Sequence, residues 1–230
     1  MRARPFTHAV LLALCITSHW VRAETAAVPP NECQVGLGFA KAENYFAAVG
    51  HLSSCLDAKL PPQAHAFVLQ TRAQCYSKLG QPDLALRDQK ASLEIAAPKD
   101  VWPLVMLGVY YRQLKQYDLA LAALRDALQY DEDGPGTGPG MAVYYHTGQT
   151  LHEAGRYTEA VEAYTRGIPK QPDYGYALYH RALSYEALGD KVQAKRDLFR
   201  AAELAPKEGY EKEIQAKLAE YGLGDAAGKR

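Results

Sequence analysis

A repeat with a period of 34 residues limits the possible folds of this chain more than any other sequence feature. Residues 141–174 and 175–208 align without a gap, small residues with small ones and proline with proline. The aligned pairs include Gly148 with Ala182, Leu151 with Tyr185, Ala160 with Ala194, Tyr164 with Leu198, Gly167 with Ala201 and Pro172 with Pro206. A fixed period of this length is typical of stacked structural units. It argues against a compact helical bundle without internal repetition.

Three weaker copies of the same pattern precede these two. One occupies residues 101–130, another occupies 66–99, and a degenerate copy lies within 24–65. The residues that carry the pattern are Gly36, Ala48 and Leu52 in the first copy, Ala73 and Ala85 in the second, and Gly108, Ala120 and Leu124 in the third. Five copies therefore cover most of the chain that follows residue 24.

Each copy contains two stretches whose apolar residues recur at i, i+3, i+4 and i+7, and this spacing predicts a pair of helices. We expect Gly148 and Ala160 to lie where two such helices cross, because only small side chains let helix backbones come close. Pro172 and Pro206 are expected to end helices. The turns within copies are predicted at Gly80, Gly155 and Gly189, since glycine suits a helix C-terminus.

In its repeat length and in its small, large and proline positions, the chain resembles the tetratricopeptide-repeat (TPR) family. The resemblance implies an all-α solenoid of about five helical hairpins with a C-terminal capping helix. The predicted parts are a signal peptide at 1–23, a degenerate hairpin at 24–65, repeats at 66–99, 101–130, 141–174 and 175–208, a flexible loop at 131–140, a capping helix at 209–221 and a tail at 222–230. The capping helix would cover the open end of the last hairpin, which an array needs for solubility.

The first 23 residues have the order of a secretory signal peptide. Arg2 and Arg4 precede a short apolar run, and a β-branched residue at Val21 and alanine at Ala23 suit cleavage after Ala23. The apolar run is far shorter than the roughly 18 residues that a spanning helix needs. We therefore predict export to the periplasm or secretion, without stable membrane insertion.

The charge of the chain argues against nucleic acid as a partner. The full chain has 26 basic and 26 acidic residues, and cleavage after Ala23 would remove three arginines and no acid. The mature chain would then carry a net charge of about −3 with histidine neutral. Binding to a polyphosphate backbone needs a basic face, which this composition does not favour.

Three cysteines would remain after cleavage, and an oxidising compartment favours their pairing. Cys33 and Cys55 would lie on the two helices of the first hairpin, where a disulfide would stabilise the most degenerate unit. A bond between Cys55 and Cys75, across the unit boundary, is the alternative. A third interpretation leaves all three as small buried residues, and in any case three thiols cannot all pair within one chain.

The sequence contains no motif that indicates catalysis or cofactor binding. His152-Glu153 lacks the second histidine of a zinc-binding helix, and no nucleophile elbow, phosphate loop or dinucleotide loop is present. We therefore predict no enzyme activity, no cofactor and no metal.

The resemblance to TPR proteins implies that the first helix of each hairpin lines a concave face, where repeat positions 2, 5, 9, 12 and 13 contact a ligand. The partner-binding residues implied in this way are Phe67, Gln70, Gln74, Lys78, Trp102, Val109, Arg112, Tyr145, Gln149, His152, Tyr176 and Tyr179. Large aromatic side chains anchor many interfaces, and amides can bond a peptide backbone. The alternative is that the aromatic residues pack against neighbouring helices.

We therefore expect a module that binds a peptide or a segment of a partner protein, as an accessory factor in a bacterial cell envelope. The type of TPR groove that grips a terminal carboxylate is disfavoured, because Lys78 and Arg112 lack the asparagine partners of that type. Binding of a small molecule or a glycan such as a cell-wall fragment is one alternative. A structural subunit that acts through its convex surface is another, and self-association also stays open.

Overall fold

The computed structural model describes residues 31–133, 140–208 and 211–222. Within these residues the chain forms α-helices and one short 3₁₀ turn and no β-strand, which confirms the predicted all-α fold. The helices are α1 (Asn31–Lys41), α2 (Tyr45–Leu56), α3 (Pro62–Lys78), α4 (Pro82–Ile95), α5 (Trp102–Gln113), α6 (Tyr117–Asp133), α7 (Met141–Glu153), α8 (Tyr157–Gly167), α9 (Gly175–Ala187), α10 (Lys191–Glu208) and α11 (Glu211–Glu220). The predicted signal peptide at 1–23 and residues 223–230 of the predicted tail lie outside the described residues.

Ten of these helices pair in chain order into five hairpins, and α11 packs against α10 at the C-terminal end. Each hairpin packs against the next, which confirms the predicted solenoid and its capping helix. The first helices of several adjacent hairpins contact one another directly, namely α1 with α3, α5 with α7 and α7 with α9. We call the surface formed by the first helices the inner face and the surface formed by the second helices the outer face.

In the first, third and fourth hairpins the two helices cross where a glycine faces a large side chain. Counted from residues 29, 66, 101, 141 and 175, these contacts join repeat positions 8 and 24. A Cβ atom added at Gly148 would lie 2.6 Å from the ring of Tyr164, and one added at Gly108 would lie 2.7 Å from Leu124. Position 20 is a fully buried alanine in all five hairpins, at Ala48, Ala85, Ala120, Ala160 and Ala194. The repeated small residues therefore set the spacing of each helix pair.

The turn inside each hairpin uses a left-handed residue at repeat position 15. Gly80, Gly155 and Gly189 have φ values of 71°, 77° and 81° there. Glu43 and Lys115 adopt the same conformation with φ values of 59° and 58°. Glycine has no Cβ to crowd the backbone in this region, whereas other residues are strained in it. The turn geometry thus persists in two hairpins whose sequences do not favour it.

Three element boundaries differ from the predicted ones. Helix α3 begins at Pro62 rather than Ala66, because proline at the first helical position leaves no amide unpaired. Helix α6 continues to Asp133, into the predicted loop at 131–140, of which residues 134–139 lie outside the description. Helix α10 continues through Pro206 to Glu208, since one proline removes a single helix hydrogen bond and its neighbours can compensate for it.

A disulfide joins the two helices of the first hairpin. Cys33 on α1 is bonded to Cys55 on α2, and their Cα atoms are 4.9 Å apart. Cys75 on α3 is a free, buried thiol. The alternative pairing of Cys55 with Cys75 is therefore not the one in the structure.

A buried ion pair joins α3 to α4 and extends to the preceding hairpin. Arg72 donates to both carboxylate oxygens of Asp88 at 2.6 and 3.0 Å, and through Nη1 to the hydroxyl of Ser53 on α2 at 3.0 Å. The fifth hairpin repeats the arrangement with Arg181, Asp197 and Thr165, at 2.6, 2.8 and 3.0 Å. Each arginine therefore connects its own hairpin to the one before it.

Candidate functional site

Four of the residues predicted to bind a partner line one cleft on the inner face. The cleft has a volume of about 560 Å³ and lies between α3, the connection at residues 96–100 and the start of α5. Phe67, Gln70 and Gln74 contribute from α3, and Trp102 contributes from α5. Phe67 is 55% exposed and Trp102 is 44% exposed, so both rings are accessible to a ligand.

The wall of the cleft between α4 and α5 is held by three hydrogen bonds. The Tyr130 hydroxyl donates to the carbonyl of Pro98 at 2.8 Å. The buried amide of Gln89 donates to the carbonyl of Pro103 at 2.8 Å, and the backbone N–H of Trp102 donates to the carboxylate of Asp100 at 2.9 Å. These bonds hold the backbone on both sides of Trp102 and so position this wall of the cleft.

The α3 side of the cleft follows one face of that helix. Gln63, Phe67, Gln70 and Gln74 are separated by four, three and four residues, the spacing of neighbours on a helix surface. The amide of Gln70 donates to the Ser92 hydroxyl at 3.4 Å. The cleft therefore combines exposed rings with amide groups along one line.

The inner face of the fourth and fifth hairpins is filled by a cluster of rings. Tyr145 packs at its centre, with ring centroids 5.3 Å from Tyr174 and 5.5 Å from His180. Tyr145 is only 9% exposed, so it does not present the ligand-facing ring that the resemblance implied. His146 connects this cluster to the cleft, since its ring lies 6.4 Å from that of Trp102.

Val109 is also buried, at 8% exposure, rather than facing a ligand. Gln149 lies within the ring cluster, where its Nε2 donates to the Tyr145 hydroxyl at 2.9 Å and its Oε1 lies 3.2 Å from Nδ1 of His146. Tyr176 and Tyr179 are half-buried against the C-terminal hydrophobic core. These side chains pack at least in part against neighbouring helices, as the alternative of internal packing expects, and their contact with a partner stays a prediction.

Repeat positions 12 and 13 form contacts between adjacent hairpins. Arg112 on α5 pairs with Glu153 on α7, and Nδ1 of His152 lies 2.9 Å from the Ser184 hydroxyl on α9. The remaining contacts of this kind join Ser77 to Gln113 at 3.0 Å and Glu186 to Lys217 of the capping helix at 2.8 Å. Arg112 and His152, predicted to bind a ligand, are thus engaged within the chain, whereas Lys78 is exposed at the end of α3.

Two histidines of the ring cluster have depressed basicity. Burial, together with the nearby Arg112 guanidinium, lowers the pKa of His146 to about 4. Burial likewise lowers the pKa of His180 to about 4, with contributions from His152 and Arg112. Both imidazoles are therefore neutral at neutral pH, which allows them to pack among tyrosine rings.

Sequence reasoning missed the ion pairs of Arg72 and Arg181, although a signal for them was present. Arg72 and Asp88 are 16 residues apart, and Arg181 and Asp197 have the same spacing at the same repeat positions.

Within the described residues, no three His, Cys, Asp or Glu side chains are grouped as metal ligands would be. No described helix is both long and apolar enough to cross a membrane.

The fold and the inner face define a helical-repeat protein of a class that binds peptides and other proteins. A family model described as tetratricopeptide repeat matches residues 105–174 and 147–209. This match supports assignment of the chain to the tetratricopeptide-repeat family, as the sequence resemblance predicted.

Solved structures of TPR proteins are similar in fold. MamA AMB-1 is 26% identical, with a TM-score of 0.58 over 76% of this chain and 98% of that chain. YrrB, described as a TPR protein with an unusual peptide-binding site, is 18% identical, with a TM-score of 0.55 over 76% of this chain and 85% of its own. At 18% identity, the likeness to YrrB concerns the fold alone.

A curated relative is DnaJ homolog subfamily C member 3 of Gallus gallus. It is 26% identical over 145 residues, which cover 57% of this chain. The aligned part spans 26% of the length of that relative. The similarity therefore concerns a part of that protein.

Proposed function

We propose that this protein binds an extended peptide segment of a partner protein in the cleft between α3 and α5. The observation that carries the proposal is the accessible pair of rings, Phe67 and Trp102, beside amide groups in a cleft of about 560 Å³. Exposed aromatic rings in a concave site are typical anchors of protein interfaces. The cleft is part of the inner face, which TPR proteins use for ligands.

We propose that the rest of the inner face holds the helices in position and does not itself bind the partner. Arg112 and His152 bind neighbouring hairpins, and Tyr145 fills the interior. We propose that these residues set the relative positions of α5, α7 and α9 and contact the partner little. We propose that the protein acts by binding a partner.

We also propose that the protein works in a bacterial envelope after export and cleavage near Ala23. The order of residues 1–23 supports this location, and so does the Cys33–Cys55 disulfide, since such bonds persist in oxidising compartments. Mass analysis of the protein recovered from the periplasm should show an N-terminus at Glu24. Recovery of the chain with Met1 intact in the cytoplasm would refute the location.

Site-specific photo-crosslinking in cells tests the binding site. A photoreactive residue at position 102 should capture one dominant protein, and the captured residues should map to one short contiguous segment. The same residue at position 125, an exposed site on the outer helix α6, is the matched control. The capture at position 102 should be lost on Gln74→Ala substitution, because Gln74 lines the same cleft.

Two outcomes of this experiment refute the proposal. Capture from position 125 alone would favour a structural subunit that acts through the outer face. Capture of a glycan at position 102, with no protein, would favour the alternative of a cell-wall ligand, since sugars also stack on exposed aromatic rings.

A further inference from the structure

The charge and shape of the cleft narrow the class of peptide that it accepts. Resting on the proposed function, we infer that the cleft selects an uncharged, proline-containing segment in the polyproline II conformation. The rings of Phe67 and Trp102, the row of amides on α3 and the near absence of unpaired charge in the lining carry this inference.

The rings supply a surface for proline side chains. Phe67 and Trp102 come from different helices and are both about half exposed in one cleft. Proline-rich segments dock in aromatic-lined grooves, because the polyproline II helix is already extended and loses little entropy on binding. Ala66, Pro98 and Pro103 add apolar surface to the lining of the same cleft.

The amides match the hydrogen-bonding needs of such a segment. The line from Gln63 to Gln74 spans 11 residues of α3, or about 16 Å at 1.5 Å per residue. A polyproline II helix rises about 3.1 Å per residue, so this line matches about five residues of a ligand. Its backbone carbonyls have no internal partners, and glutamine N–H groups can donate to them.

The charged residues do not favour a charged ligand. Lys99 and Asp100, of opposite sign, are the charged residues in the lining of the cleft. The Asp100 carboxylate already accepts a hydrogen bond from the backbone N–H of Trp102 at 2.9 Å. Arg112, which could attract an acidic peptide, lies outside the cleft lining and pairs with Glu153. The lining therefore lacks a net charge that would complement an acidic or a basic segment.

The intrinsic fluorescence of Trp102 can report on ligand binding in this cleft. The sequence has two tryptophans, and Trp20 belongs to the predicted signal peptide. In a chain that starts at Glu24, the intrinsic tryptophan fluorescence comes from Trp102 alone. A ligand that covers this ring should change the emission without any attached label.

The test titrates this chain with four synthetic peptides of equal length, about ten residues. One alternates proline and alanine, a second replaces the prolines by glycine, and the third and fourth replace alternate alanines of the first by glutamate or by lysine. We expect the neutral proline peptide to bind about tenfold more tightly than each of the others. Its affinity should change less than about twofold between 50 and 500 mM NaCl, because no charges are paired.

Substitution controls separate cleft binding from other binding. Phe67→Ala should weaken binding of the neutral proline peptide about tenfold, while Arg125→Ala on the outer face should leave it unchanged. Circular dichroism should show unchanged helix content in both variants, since both side chains are exposed.

Several results would overturn the inference, and they are distinguishable. Tighter binding of the glutamate, lysine or glycine peptide, lost on Phe67→Ala, would refute the selectivity but leave peptide binding in the cleft intact. Binding of none of the four would also refute the inference, and crosslinking at position 102 would then decide whether a different segment uses the cleft. Failure of both experiments would refute the proposed function itself.

Discussion

Arg72 and Asp88 form a bidentate ion pair in which the aspartate is almost completely buried, at 2% exposure. Arg181 and Asp197 repeat this pair at the same repeat positions three hairpins later. Each arginine also donates to a hydroxyl of the preceding hairpin, Ser53 or Thr165. The two pairs therefore fix both the spacing within a hairpin and its stacking on its neighbour.

Removal of one partner of this pair should destabilise the protein strongly. Asp88→Ala leaves the Arg72 guanidinium buried without its counter-charge, and breaking such a pair costs about 3–5 kcal/mol. Urea unfolding followed by circular dichroism measures the loss. Glu159→Ala, which breaks the exposed Arg156–Glu159 pair at the start of α8, is the matched control and should lower the stability much less, because solvent screens an exposed ion pair. Equal effects of the two substitutions would contradict the structural role of the buried pair.

The crossing of α7 and α8 should not tolerate a methyl group. In Gly148→Ala the new Cβ would meet the Tyr164 ring at 2.6 Å, and Tyr164 is fully buried and unable to move freely. Overpacking of this kind costs about 1–3 kcal/mol. Gly38→Ala on α1 is the control, because nothing lies within 4 Å of its added Cβ. Since alanine favours helix, that change should be neutral or stabilising by up to about 1 kcal/mol. The melting temperatures of the two variants are compared with that of the unsubstituted protein. A Gly148→Ala variant with an unchanged melting temperature would be evidence against the close crossing.

A glycine in the strained turn of the third hairpin should increase the stability of the protein. Lys115 has a φ value of 58°, where glycine occupies the same repeat position in three other hairpins. Lys115→Gly removes the Cβ crowding and should stabilise the protein by about 0.5–1 kcal/mol, somewhat less than the full cost of the left-handed conformation. The converse change, Gly155→Ala at a φ value of 77°, should destabilise by about 1 kcal/mol. Chemical denaturation of both variants checks the signs, and destabilisation by Lys115→Gly would refute the assignment of strain.

Acid should lower the free energy of unfolding through two histidines in the C-terminal half of the protein. The pKa values of His146 and His180 are lowered to about 4 from the usual 6.5, so the folded state binds fewer protons than the unfolded state between these values. The stabilisation is complete above pH 6.5 and is lost as the pH falls from 6.5 through about 4. The loss of stability is at most about 3 kcal/mol per histidine. The combined loss is smaller than the sum of the two, because the histidines interact with Arg112 and with each other.

The free energy of unfolding measured at several pH values tests this dependence. Replacement of both histidines by asparagine should flatten the pH dependence between 6.5 and 4. The titratable and charged groups that face these two imidazoles are Arg112, His152, Tyr145, Tyr164 and Tyr179. An unchanged slope in the doubly substituted protein would show that other groups cause the acid sensitivity.

Much of the fold could be predicted because its determinants are local and repeated. The alanines at position 20 and the turn glycines Gly155 and Gly189 recur at fixed intervals, and each acts through the backbone geometry of its own hairpin. The boundary at Pro206 was less predictable, because one proline must compete with the packing of a whole helix. Local signals therefore predict the units better than they predict where each one ends.

The candidate site could be predicted only in part. Repeat position alone places Phe67 and Trp102 on the inner face, and both line the cleft. The same rule did not predict the burial of Tyr145, because that burial depends on rings from outside its own helix, such as those of Tyr174 and His180. It also could not anticipate that Arg112 pairs with Glu153, since the two lie on different hairpins. Contacts between units depend on pairs of side chains, which a repeat alignment does not compare.

The most direct test of the binding site is hydrogen exchange of the protein with and without the partner captured at position 102. Slower exchange should appear in α3 and in residues 96–103, because these backbones border the cleft. The outer helices α6 and α8 should be unaffected. Slower exchange confined to α6 and α8 would contradict the account and assign partner binding to the outer face.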